Sequence, residues 1–454
     1  MAQLVARLVR NEKVRGSNPL SSTTEATNAH THQPLATAPY DQRMSASDAQ
    51  HHTPSATEEH ATSGAAADLR VMLDAQRSRC PVMHHDDGSV TLLGHAEVRA
   101  AALDAATFSS AVTSRRAIPN SLDGEEHRAY RALIDAYLTQ EEVDAQEPQC
   151  RAHAAAIVGS LPRGTMVRTI ADVGTPFAVR AQRTWLGWPE SIDQPLVDWM
   201  ARNRDASRSG DRAQLATVAD EFDDLITGLL NERRRAADAQ PAADAQPAAD
   251  APLTTPTDVT SRLMRETVNG QPLTDAEVVS ILRNWTAGDL GSLAASIGVI
   301  VHHLATDVAL QSYVRSLVED RNTAAFEDAM EEILRIDDPF ISNRRITTRP
   351  VTLGDREAPA GTRVVLNWVA ANRDPAAFPD PDAFNPAAHK DNNLVFGIGA
   401  HVCPGRALTL MELRVIVWEL LSQTSAIEMA PSEAPVREKP PVSGWAQVPI
   451  VLHA

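Results

Sequence analysis

Cysteine is scarce in this sequence. The three present, Cys80, Cys150 and Cys403, are too widely spaced for a disulfide framework or a Cys-x-x-Cys metal site. Long apolar runs are missing as well, and none approaches the roughly 20 residues of a membrane span. Positive charge is in short supply: 42 Lys and Arg stand against 59 Asp and Glu, for a net charge of −17. That balance argues against nucleic acid or an anionic membrane surface as a general partner. Together these absences predict a soluble, cytoplasmic protein, and a monomer is expected.

Large apolar side chains are few in residues 1–66, which are rich in Ala, Ser, Thr, His and Gln. Such a segment buries too little surface to offset its ordering entropy, so it reads as a disordered tail ahead of a domain at 67–454. The stretch to Pro19 resembles spurious upstream translation, with Met44 as an alternative start. Residues 236–256, with their Ala-Ala-Asp-Ala-Gln-Pro repeat, read as a flexible low-complexity insertion.

What is present gathers around Cys403. The string Phe396-Gly397-Ile398-Gly399-Ala400-His401-Val402-Cys403-Pro404-Gly405 reads as a tight, glycine-dependent loop. Pro404 suits the first position of a helix running through Arg406 to Leu421. Cys403 then stands at a helix N-terminus, where the dipole favours a thiolate, a soft metal ligand.

Upstream, His127 and Arg131 are four apart and share a helix face. Two donors on one face suit a pair of carboxylates. The apolar run from about Asp275 to Ala305 predicts one long helix. Gly288 and Gly291 inside it each cost about 1 kcal/mol against Ala, which implies either close helix packing or passage over a flat ligand. Glu332 and Arg335 form a helical acid–base pair three residues apart.

The cysteine string, with every motif position filled, resembles the haem-binding loop of the cytochrome P450 family. The resemblance extends over about residues 68–454 and implies a mainly α fold with a smaller β-rich part. It implies haem b as cofactor, with Cys403 as axial iron ligand in a loop shaped by Phe396, Gly397 and Gly405. His127, Arg131, Arg345 and His401 would then serve the haem propionates, and Glu332 with Arg335 a buried structural pair. That pair's usual arginine partner is replaced by His389 or Lys390. The long helix would pass over the oxygen side, with Gly288 and Gly291 in its groove. The family's acid–threonine pair is missing there, because Leu290 and Gly291 occupy its positions. Asp289 and Ser292, each displaced by one residue, are the candidates for proton delivery.

The implied activity is insertion of one oxygen atom from O2 into a small or medium organic substrate. Electrons would come from NAD(P)H through a separate ferredoxin or flavin-type donor, docked on a basic patch that includes Arg128 and Arg406. Pocket walls would come from Val112 to Asn120, Trp285 to Asp289, Phe340 to Asn343 and Ser443 to Trp445. Two alternatives stay open: a peroxide-driven haem-thiolate enzyme and a non-catalytic haem-binding sensor.

Overall fold

The computed structural model describes residues 68–112, 116–238, 258–440 and 443–454. The expected tail lies outside these residues, as does the expected insertion from 239 onward; residues 236–238 continue a helix. The first helices are α1 (Leu69–Arg79), α2 (His95–Leu103), α3 (Gly124–Ala136), α4 (Gln140–Ser160) and α5 (Thr175–Leu186). Next come α6 (Asp193–Ser209), α7 (Arg212–Asp238), α8 (Val259–Leu263) and α9 (Asp275–Thr306). The chain closes its helical part with α10 (Val308–Glu319), α11 (Thr323–Ile336), α12 (Trp368–Ala371), α13 (Pro386–His389) and α14 (Arg406–Ser422).

Short strands fill the smaller part. They begin with β1 (Val82–His84), β2 (Val90–Leu92), β3 (Phe108–Ser109), β4 (Met166–Arg168), β5 (Thr267–Val268) and β6 (Gln271–Pro272). They continue with β7 (Ser342–Thr347), β8 (Val351–Leu353), β9 (Arg356–Ala358) and β10 (Arg363–Asn367), then β11 (Ile427–Met429), β12 (Val436–Arg437), β13 (Trp445–Gln447) and β14 (Pro449–Leu452). The largest sheet runs β1-β2-β10-β7-β3. Its β10–β7 pair is antiparallel with Val364 opposite Arg345, which fixes the position of that arginine.

Helix α9 is the axis of the helical part. It starts on a capping box: Glu277 N–H donates to Thr274 Oγ1, and the Glu277 carboxylate accepts from Thr274 N–H. Beyond its first turn nearly every side chain is buried, which is why its sequence lacks a polar face. It packs against α5, α7, α11 and α14. No single described helix is long and apolar enough to cross a membrane.

Trp185, Trp188 and Trp199 are all core residues, as their placement in a helical stretch predicted. Trp188 donates to Thr260 Oγ1 at 2.9 Å and Trp199 to the Val218 carbonyl at 3.0 Å, so their polar atoms are satisfied inside the core.

Candidate active site

The cysteine loop is built by two left-handed glycines. Gly397 (φ 71°) and Gly399 (φ 78°) reverse the chain so that Cys403 N–H donates back to the Phe396 carbonyl at 2.8 Å. A Cβ on Gly399 would lie 3.0 Å from the Ala102 carbonyl oxygen, so the loop seats directly on the end of α2. One local expectation needs correcting. Pro404 is in the turn ahead of α14 rather than in its first turn, and Gly405 is the N-cap. Cys403 stands three residues before the first helical residue, still on the helix's N-terminal side.

Two clefts meet at Cys403, sharing Pro119, Asn120 and Pro404 as walls. The first contains His127, Arg131, Arg345, Phe396, Gly397 and His401. The His127 ring is buried and its Nε2 finds no partner among the described residues. Burial pushes its pKa down to about 4, helped by His401 and Arg131, so the ring is neutral at pH 7. Arg345 is 6 % exposed and, among the described residues, donates only to the Arg344 carbonyl; burial lowers it to about 10, leaving it charged.

The other two candidate donors are engaged. Arg131 Nη1 donates to the Ala400 and Val402 carbonyls at 3.1 and 2.8 Å, and its Nε to Asp135. It therefore braces the cysteine loop. His401 Nε2 lies 3.1 Å from Ser110 Oγ and 3.3 Å from Asp123 Oδ1, with its ring 4.1 Å from that of His127.

The second cleft carries Trp285, Gly288 and Asp289 of α9 opposite Cys403, Gly405 and Leu408. Gly291 is not in this cleft. The helix turns it toward a separate cavity beside α6, two residues and so about 200° of rotation beyond Asp289. Both Asp289 carboxylate oxygens and Ser292 Oγ are buried without a partner among the described residues. Burial pushes the Asp289 carboxyl up to about 7. Glu412, four residues beyond Leu408 on the same face of α14, is likewise buried with both oxygens unpartnered. Burial, then the Asp289 charge, raises it well above the usual carboxylate range.

Sequence reasoning missed Glu412. The available signal was an acid interrupting the otherwise apolar face of α14.

The expected pocket walls are divided. Asn120, Asn343, Trp285 and Asp289 line the Cys403 clefts, whereas Ser443 and Trp445 line the cavity of Gly291. Of the expected basic patch, Arg128 pairs with Glu125 at 2.9 Å and Arg406 with Glu331.

A family model described as Cytochrome P450 matches residues 206–452. Cyclomarin C epoxidase CymV of Salinispora arenicola is 30 % identical over 380 residues, covering 78 % of this chain and 88 % of that protein. The chain belongs to the cytochrome P450 family. The erythromycin C-12 hydroxylase of Saccharopolyspora erythraea is 28 % identical over 380 residues, covering 79 % of this P450 and 88 % of the relative. In three dimensions, a mutant of P450 EryK in complex with erythromycin B superimposes with a TM-score of 0.72 at 24 % identity. That match covers 85 % of this chain and 96 % of the other.

This P450 is accordingly an oxidoreductase of the monooxygenase type, acting on an organic substrate with haem b bound through a cysteine thiolate. The residues on both sides of Cys403 fit that group. A neutral imidazole nitrogen and a buried arginine that makes no ion pair within 4 Å among the described residues face one cleft. The flat approach at Gly288 opens the other.

Proposed function

We propose that this P450 inserts one oxygen atom from O2 into a small or medium organic substrate, with Cys403 Sγ as the thiolate that would hold the haem iron. Cys403 is the one cysteine placed where two clefts meet at the start of a helix, and that placement carries the reading. When bound, haem b supplies the oxygen-activating chemistry, and thiolate ligation favours O–O cleavage. The protein's own groups do the rest. His127 and Arg345 would hold the propionate carboxylates, Arg131 fixes the loop carbonyls beside Cys403, and Gly397 lets the loop backbone turn ahead of Cys403.

Proton delivery falls to Asp289, with Ser292 one turn further along α9. Asp289 and Glu412 are buried without partners, so the two carboxyls cannot both ionise cheaply and retain at least one proton at neutral pH. Asp289 holds that proton beside the cleft, and Glu412 stands behind it as a reserve. This arrangement replaces the acid–threonine pair that Leu290 and Gly291 cannot form. It also favours O2 over peroxide as oxidant, because a peroxide-driven enzyme needs no such proton store.

Electrons come from NAD(P)H through a separate ferredoxin or flavin-type donor to a cytoplasmic monomer. The epoxidase and hydroxylase names of the relatives support oxygen insertion as the outcome. The test is a reduced-plus-CO difference spectrum on wild type and Cys403→Ala. It is followed by product detection with NADPH, a ferredoxin and its reductase. A thiolate-type Soret band lost in the mutant, with reductant-dependent product, is expected. The same band in Cys403→Ala, or turnover with hydrogen peroxide alone, would overturn the reading.

A further inference from the structure

Asp338, two residues beyond the end of α11, is buried and borders neither of the Cys403 clefts. Both of its oxygens are engaged. Phe340 N–H donates to Oδ1 at 2.8 Å, and Asn372 Nδ2 donates to Oδ2 at 3.1 Å. Burial raises the carboxyl to about 8 while these two donors oppose it, and a carboxyl oxygen accepts an N–H in either protonation state.

Asn372, directly after α12, is buried too, and its main chain is fixed at both ends. Arg335 Nη1 donates to its carbonyl at 2.8 Å, and its own N–H donates to the Trp368 carbonyl at 2.8 Å. What remains free is which end of the side-chain amide faces which neighbour. Nδ2 meets the Asp338 oxygen, so Oδ1 meets Leu394 N–H, which donates to it at 2.8 Å. A backbone N–H can only donate, so Leu394 needs that acceptor, and Asp338 supplies the oxygen that draws the NH2 to the other side.

Leu394 is the root of the cysteine loop. Its carbonyl accepts from Gly397 N–H at 2.9 Å, where the chain begins to reverse, and the loop then returns until Cys403 N–H reaches the Phe396 carbonyl. Arg131 and the end of α2 grip the loop further on, at Ala400, Val402 and Gly399. Asp338 and Asn372 hold the other end.

We propose, on the reading of Cys403 as the thiolate that would hold the haem iron, that Asp338 is a positioning residue for Cys403. By orienting the Asn372 amide it fixes the root of the loop, and so where the sulfur is presented.

Reversing the middle hydrogen bond tests this. Asp338→Asn keeps the size and still accepts from Phe340 N–H, but it turns an NH2 toward the NH2 of Asn372. Whichever way that amide then turns, one donor faces another, at Asn372 or at Leu394. Adding Asn372→Asp runs the middle bond the other way and restores an acceptor to Phe340 and Leu394 alike. In the haem-loaded protein, hydrogen exchange of amides 394–403 is followed by mass spectrometry beside the ferrous–CO spectrum. Asp338→Asn should speed that exchange about tenfold, the worth of one lost hydrogen bond, and should weaken the thiolate-type Soret band. The paired variant should return both to wild type, and should do so even if the single variant yields no holoprotein. A lower unfolding midpoint with loop exchange and Soret band unchanged would overturn the proposal. So would a paired variant no better than the single one. Loop exchange is independent of the iron ligand, so a wild type without the thiolate-type band would count against the Cys403 assignment alone.

Discussion

His389 Nδ1 lies 2.7 Å from Glu332 Oε1, inside the protein, where the same carboxylate grips Arg335 through two further bonds of 2.8 and 2.9 Å. Asn385 N–H adds a third kind of donor at 3.0 Å, and Arg335 reaches on to the Asn372, Pro381 and Ala383 carbonyls. Helix α11 is thereby tied to the irregular segment that leads into the cysteine loop. Of the two replacements considered for the missing arginine, His389 takes the position, whereas Lys390 pairs outside with Asp328 at 2.6 Å. Burial alone would raise the Glu332 carboxyl, but Arg335 outweighs it and holds the group charged.

Removing one member of such a buried pair leaves an uncompensated charge. Glu332→Ala should cost about 3–5 kcal/mol, a large downward shift of the unfolding midpoint. His389→Ala removes one neutral or charged donor and should cost about 1–3 kcal/mol. Urea unfolding followed by haem absorbance checks both; an unchanged midpoint for Glu332→Ala would contradict the tie.

Asp289→Asn should lower product formation by about a hundredfold, the usual scale for a lost proton-transfer group. Haem content and the CO spectrum should stay intact. Burial raises the Asp289 carboxyl to about 7, so it is protonated below that pH and ionised above it. Product formed per electron in wild type should therefore fall as pH rises through about 7. The asparagine variant should show a flat profile at its lower level. A slope that survives the substitution would place the titrating group elsewhere.

The two glycines of α9 should separate cleanly. Gly288 borders the Cys403 cleft and Gly291 the opposite cavity. Gly288→Val should reduce haem incorporation, measured as the ratio of Soret to protein absorbance. Gly291→Val should leave that ratio at the wild-type value. Equal losses in both would mean that α9 presents a different face to the cofactor.

His302 should shape stability on the acid side. Its ring is stacked on Trp445 and faces His303, Asp337, Arg437 and Arg70; its Nδ1 has no partner among the described residues. Burial first, then His303, pushes it from 6.5 down to about 4. The unfolded chain then binds more protons than the native one between these values, so stability falls as pH drops through that window. His302→Gln should flatten this part of the unfolding-versus-pH curve, read from thermal midpoints between pH 7 and pH 4. An unaltered curve would assign the loss to other groups.

Local chemistry made much of this molecule legible beforehand. The Gly397–Gly405 string determines a reversing loop before a helix, because only glycine takes positive φ there without strain. The apolar run from about Asp275 to Ala305 determines α9, observed as Asp275–Thr306, almost to the residue. Glu332 and Arg335 announced their pairing through spacing alone.

What the sequence could not decide was where long-range neighbours meet. Which way α9 rolls depends on how α5, α7 and α14 pack around it, and that roll put Asp289 in the cleft and Gly291 outside it. Asp289 and Glu412 are more than a hundred residues apart in the chain, so no periodicity could bring them together. Likewise the engagement of Arg131 with loop carbonyls, and the closing of Glu332 by His389, follow from contacts between distant segments. Spacing fixes what one helix turn can reach, and only packing fixes what lies across from it.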